Sequence, residues 1–154
     1  MTKNSKIALL LLRLALGWLF LYAGFTKLIN PNWSAAGYLN NAKTFASFYQ
    51  WLASPNILPL TNFLNEWGLT LIGIALILGV LVRLNSVLGA LMMVLYYFPV
   101  LEFPYLEHAY LVDEHIIYAL AFLLLAVLKA GRYWGIDEKI MNLPVMQKCQ
   151  NWLG

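Results

Sequence analysis

The sequence predicts an all-α integral membrane protein: a four-transmembrane-helix bundle with an amphipathic outer helix between spans one and two. Three observations predict it. Of 154 residues, 62% are hydrophobic and only 11% charged, with a mean hydropathy of +0.69, where a soluble domain holds roughly 45–50% apolar and about 25% charged residues. Four apolar stretches are each long enough to cross a bilayer, which takes about 17–25 helical residues. Eight of the ten Lys and Arg residues fall where four crossings would put them on one side.

A chain this apolar excludes a soluble enzyme, a disordered chain and a secreted disulfide scaffold. Its single cysteine, Cys149, excludes an internal disulfide and any CxxC redox or zinc site. The net charge of +3 and pI near 9.0 come from thinly spread residues that form no nucleic-acid patch. The lipid bilayer is the expected partner, and residues 1–154 read as one membrane domain.

The spans fall at about 7–29, 60–82, 86–103 and 114–130. Their Leu, Ile, Ala and Phe content lacks the alternation of a barrel strand, so they read as helices. Lys3 and Lys6 precede the first, as in a signal peptide, but the run is too long, Arg13 interrupts it and no A-x-A site follows. It is expected to stay as an anchor. Lys3, Lys6, Arg13, Arg83, Lys129, Arg132, Lys139 and Lys148 then share a side, leaving Lys27 and Lys43 on the other. The positive-inside tendency makes this a multi-pass protein of the cell membrane with both termini cytoplasmic.

Pro31 should end the first helix, because the residue before a proline is steered out of the α region. Residues 35–53 carry Tyr38, Leu39, Ala42, Phe45, Ala46, Tyr49 and Leu52 at near-helical spacing, with polar residues mostly between them. This predicts one amphipathic helix on the outer surface, or a lid over the bundle, broken by Ser54-Pro55-Asn56. The cytoplasmic tail, 131–154, should hold a short interfacial helix carrying Trp152. Gly17 and Gly24 share a face of the first helix, and Gly73 and Gly79 mark the second, as close helix packing in lipid requires. The general abundance of glycine in membrane helices accounts for them equally well.

An ionisable group inside a span costs about 2.5–3.5 kcal/mol at the helix centre, so each needs a reason. Arg13 either snorkels to the cytoplasmic headgroups or forms a structural ion pair with Asp137 or Glu138. At the outer end, Lys27 closes the first helix, Glu66 opens the second beside Trp67, and Asp113-Glu114-His115 opens the fourth. Tyr118 lies one turn from Glu114 and His115, while Trp33 and Trp51 come from the overlying segment. An aromatic wall with a few polar groups suits an amphipathic ring such as a quinone. His115, Glu114 and Glu66 are the candidate catalytic residues, for proton transfer. Lys27, Trp33, Trp67 and Tyr118 are the candidate substrate- or quinone-binding residues.

Structural duties compete for the same residues. Asp113 suits the N-cap of the fourth helix with Glu114 in its dipole field; Glu66 and Lys27 suit an interhelical ion pair; the tryptophans suit an interface belt. His108 and His115 are the only histidines. Glu107, His108, Glu114 and His115 match no closed metal site, and neither metal nor haem is expected. No glycine-rich phosphate loop and no serine or cysteine nucleophile with a recognisable base is present.

Residues 13–28, RLALGWLFLYAGFTKL, resemble the opening of DoxX-type membrane proteins. Asn30-Pro31-Asn32-Trp33 and Gly37-Tyr38-Leu39 resemble the DoxD branch, the small subunit of thiosulfate:quinone oxidoreductase. Asp113-Glu114-His115 and Gly131-Arg132-Tyr133-Trp134-Gly135-Ile136-Asp137 are similar to that family's acidic–histidine start and GR-x-x-G-x-D finish. The resemblance spans roughly residues 7–138. It implies a four-helix membrane subunit of a quinone-linked oxidoreductase, with thiosulfate as electron donor and a second oxidoreductase subunit as partner. Two other readings stand open: a non-catalytic scaffold that recruits a redox partner, and a small-anion carrier, which the lack of a charged path across the bilayer disfavours. Self-association is also left open.

Overall fold

The computed structural model describes residues 1–106 and 109–140. Glu107, His108, Lys148, Cys149 and the expected tail helix around Trp152 lie outside the described residues. Helix α1 (Lys3–Leu28) is 26 residues long, about 39 Å at 1.5 Å per residue. It starts earlier than the apolar run because the Thr2 hydroxyl caps it, accepting from Ser5 N at 3.3 Å. It ends ahead of Asn30-Pro31, as the proline dictates. Helix α4 (Leu58–Leu78) has Pro59 in its first turn and stops at Gly79, whose φ of 70° is the left-handed conformation glycine adopts without a Cβ penalty. Helix α5 (Val82–Val100) follows at once. These three are long and apolar enough to span a membrane.

The expected fourth span, about 114–130, is shorter. Helix α6 (Glu114–Val127) has 14 residues, about 21 Å, which falls short of a hydrocarbon core of about 30 Å. It stops because Lys129 turns left-handed (φ 50°) and the chain folds into a 3₁₀ turn, Ala130–Arg132, before the five-residue helix α7 (Ile136–Ile140). That fold-back has a partner. Arg13, 1% exposed, donates from Nη1 to Ala130 O (3.0 Å) and Tyr133 O (3.2 Å) and from Nη2 to Trp134 O (3.1 Å). The guanidinium therefore does not snorkel; its hydrogen bonds to the fold-back go to backbone carbonyls, and the Asp137 carboxylate attracts it through space.

Asp137, fully buried, serves α5. Leu81 opens that helix in the left-handed region with no side-chain cap of its own, so its first N–H groups need an acceptor from elsewhere. Asp137 Oδ1 accepts from Leu81 N (2.7 Å) and Oδ2 from Val82 N (3.0 Å), while Asp137 N donates to Gly79 O (2.9 Å). The fit leaves no room for side chains: a Cβ on Gly135 would lie 2.4 Å from Gly131 O, and one on Gly79 2.5 Å from Gly135 Cα. Lys6, whose Nζ is 5.1 Å from the Tyr133 ring centroid, joins the same end. The start of α1, the α4–α5 turn and the fold-back thus meet, gathering the basic residues at one end of the bundle.

Helix α1 packs chiefly on α4, and α5 on α6. Small residues set the first contact: a Cβ on Gly73 would sit 2.3 Å from Leu21 N, and one on Gly24 2.5 Å from Thr70 N. Gly79 belongs to the turn and not to this seam. Phe122, fully buried, crosses edge-on to Phe20 with centroids 4.7 Å apart and ties the two pairs together.

The outer segment is not the single amphipathic helix expected over 35–53. It forms α2 (Ala36–Asn40) and α3 (Ala46–Leu52), separated by a break in which Phe45 has φ 54°. The end of α5 causes the break. Pro99 has no N–H, so the carbonyl of Leu95 four residues earlier loses its helical donor. Tyr49 Oη donates to that carbonyl at 2.9 Å, Tyr38 Oη donates to Tyr96 O, and Lys43 N donates to Pro99 O at 2.9 Å. Meeting all three pulls the segment into two short pieces draped over the end of α5. A two-stranded hairpin, β1 (Tyr105–Leu106) and β2 (Ala109–Tyr110), completes this end.

Candidate functional site

At the end opposite the basic residues, under the draped segment, lies a cavity of about 250 Å³ lined by Lys27, Trp33, Tyr38, Asn65, Tyr96 and His115, with Ser34 and Ala35 at its edge. Each side chain arrives for a local reason. Lys27 is in the last turn of α1, where a cation is favoured by the helix dipole, and its Nζ donates to Ala23 O at 3.2 Å. The same ammonium lies 5.3 Å from the Trp33 ring centroid, within cation–π range. The half-buried Glu66 attracts it from α4.

His115 comes from the first turn of α6. Asp113 caps that helix, its Oδ1 accepting from His115 N (3.0 Å) and Ile116 N (3.2 Å). Its other oxygen, Oδ2, meets His115 Nδ1 at 2.6 Å. One carboxylate thus fixes both the backbone and the ring of His115, directing Nε2 away from the pair. The Tyr96 ring meets the imidazole edge-on, centroids 6.2 Å apart.

Among the described residues, two buried polar atoms of lining residues, Asn65 Oδ1 and Tyr96 Oη, make no hydrogen bond of good geometry, although the Asn65 side chain lies near enough to act on the Tyr96 phenol. Buried polar atoms are nearly always paired, at a cost of about 1–3 kcal/mol when they are not. Tyr38 sits on the outer segment, where burial, with Tyr49 and Asp113 adding, pushes its phenol well above the ordinary range and keeps it a donor to Tyr96 O.

The structure therefore brings together Lys27, Trp33 and His115, with Glu66 close enough to be felt. It does not bring in the rest. Trp67 is 43% exposed and packs on Phe63 along the outside of α4. Glu114 is exposed and its charge bears on Tyr118. Neither those two residues nor Tyr118 lines the cavity. Asp113 does more than cap a helix, since it also holds the imidazole. Tyr38, Asn65 and Tyr96 are members that the sequence reading missed. Asn65 carried a signal, an amide beside Glu66 in an apolar helix; Tyr96 carried little, since a phenol in a membrane helix is ordinary.

The DoxX family model matches residues 8–101, from the first span to the end of α5 and more than half of the chain. Comparison with curated proteins and with solved structures gave no match.

Proposed function

The chain belongs to the DoxX family of membrane proteins, and on that premise we propose that it is the integral membrane subunit of a quinone-linked oxidoreductase, with a quinone headgroup in the cavity between Lys27 and His115. α6, too short to cross by itself, packs on α5 as the fourth member of the bundle and completes its crossing with the chain on either side of it. The basic end faces the cytoplasm of the cell membrane and the cavity faces outward.

The observation that carries this reading is the convergence of the Lys27 cation, the His115 imidazole, the Asn65 amide and the Tyr96 phenol on one aromatic-walled cavity. A quinone offers two ring oxygens that accept hydrogen bonds, and the reduced form offers two hydroxyls that donate. Tyr96 Oη, Lys27 Nζ and the His115 ring can donate to the first; Asn65 Oδ1 can accept from the second. Small-molecule pockets usually enclose about 300–1,000 Å³, so 250 Å³ suits a ring whose tail leaves between helices. Once bound, a quinone supplies a two-electron, two-proton acceptor. His115, held by Asp113, is placed to deliver a proton at Nε2, and Lys27 stabilises negative charge on a ring oxygen. Glu66 tunes Lys27. The electrons come from a reduced sulfur anion such as thiosulfate through a second subunit.

Tryptophan quenching tests the site, since Trp33 lines it. A short-chain ubiquinone titrated into the detergent-solubilised protein should quench the fluorescence saturably, and Tyr96→Phe or Lys27→Met should weaken binding about tenfold, the effect of one lost polar contact of ~1.4 kcal/mol. Unchanged affinity in both variants would refute the pocket assignment. Absence of saturable quenching in the unaltered protein, with co-purification of a redox partner, would favour a scaffold instead.

A further inference from the structure

A second, larger cavity of about 560 Å³ lies on the other side of Tyr38, between the draped segment and the β1–β2 hairpin, with Asn41, Lys43, Val100, Glu102 and Leu106 in its lining. Its two charged side chains have opposite sign and are anchored at the backbone by different elements. Lys43 N donates to Pro99 O at 2.9 Å; Glu102 and Tyr105 exchange backbone hydrogen bonds at 2.9 and 2.7 Å. Both side chains are exposed, and they make no ion pair with each other. Both line one cavity, Lys43 from the draped segment and Glu102 from the chain between α5 and the hairpin.

We propose that this outer cavity binds a zwitterionic head, a phosphate and a primary ammonium within one small group, as in phosphoethanolamine. The phosphate lies toward Lys43 and the ammonium toward Glu102, which accepts its hydrogen bonds. The net charge of the two wall residues is zero, so a purely anionic head gains Lys43 but meets Glu102, and a neutral head gains neither. The same chemistry has two sources, a membrane phospholipid or a free solute. The apolar wall of Val100 and Leu106, beside the exposed aromatic rings of Phe103, Tyr105 and Tyr110, gives a lipid's glycerol and first methylenes a place to rest. This inference is independent of the inner cavity, since none of its charged groups lies there.

Native mass spectrometry of the full chain, released from detergent containing equal amounts of phosphatidylethanolamine and phosphatidylglycerol, tests it. Phosphatidylethanolamine should be retained preferentially, and Lys43→Gln or Glu102→Gln should each lower its retention about fivefold, the scale of one exposed charge contact. Both positions are exposed, so the variants should fold, which a melting curve checks. Soluble glycerophosphoethanolamine displacing the lipid at equal concentration identifies a free solute as the ligand; failure to displace it identifies the phospholipid. Equal or greater retention of phosphatidylglycerol, or retention unchanged in both variants, overturns the proposal.

Discussion

Replacing Asp137 by alanine should be among the most damaging single changes in this chain. Its carboxylate is fully buried and accepts from Leu81 N at 2.7 Å and Val82 N at 3.0 Å. Each bond to a charged acceptor contributes about 1.5–3 kcal/mol. The alanine variant also orphans the first N–H groups of α5, which has no other side-chain cap, and removes the compensating charge near a buried Arg13. Breaking a buried charged network costs about 3–5 kcal/mol. For a chain of this size each kcal/mol corresponds to roughly 2–4 °C in melting temperature, so the loss should be about 6–20 °C. Asp137→Asn keeps one acceptor oxygen and should fall between the alanine variant and the unaltered protein. Thermal unfolding in detergent, followed by intrinsic tryptophan fluorescence, measures both. If Asp137→Asn melted within about 2 °C of the unaltered protein, the cap on α5 would not be a source of stability and the reasoning would fail.

Two further outcomes follow from packing. Gly73→Val should abolish the α1–α4 seam, since a Cβ there already meets Leu21 N at 2.3 Å and backbone cannot yield; the yield of monodisperse protein in size-exclusion chromatography should collapse, while Gly37→Val, which meets nothing within 4 Å, should not change it. Tyr49→Phe should remove the donor to Leu95 O and cost about 1 kcal/mol, read as roughly fivefold faster amide exchange across Ala46–Leu52. Unchanged exchange would mean that the carbonyl freed by Pro99 finds another donor.

Two groups at opposite ends of the molecule use a carboxylate in the same way. Asp113 and Asp137 each take two successive backbone N–H groups at a helix start, and each stands beside a basic side chain, His115 or Arg13. Asp113 works within its own helix and could be read from its place before α6. Asp137 caps a helix whose N-cap residue, Leu81, lies 56 residues earlier, and no local pattern announces that. The sequence motif Gly131 to Asp137 was visible, but its purpose was not: the glycines let backbone pass within van der Waals limits of Gly79, and the aspartate fills an acceptor vacancy in another element.

What the sequence determined alone are properties that each residue carries by itself. The cost of exposing apolar side chains to water, or of placing a charge in hydrocarbon, accumulates along the chain, so the long helices, their order and the gathering of cations at one end are written in composition and spacing. The depth shared by Lys27 and His115 follows from the same counting. What only the tertiary structure decided are the matters of unpaired backbone. Arg13 answers three carbonyls of the fold-back, Tyr38 and Tyr49 answer carbonyls at the end of α5, and the outer segment breaks in two to let them do so. Those vacancies arise where one element ends against another, and a hydrogen bond is satisfied by proximity in space and not by distance along the chain.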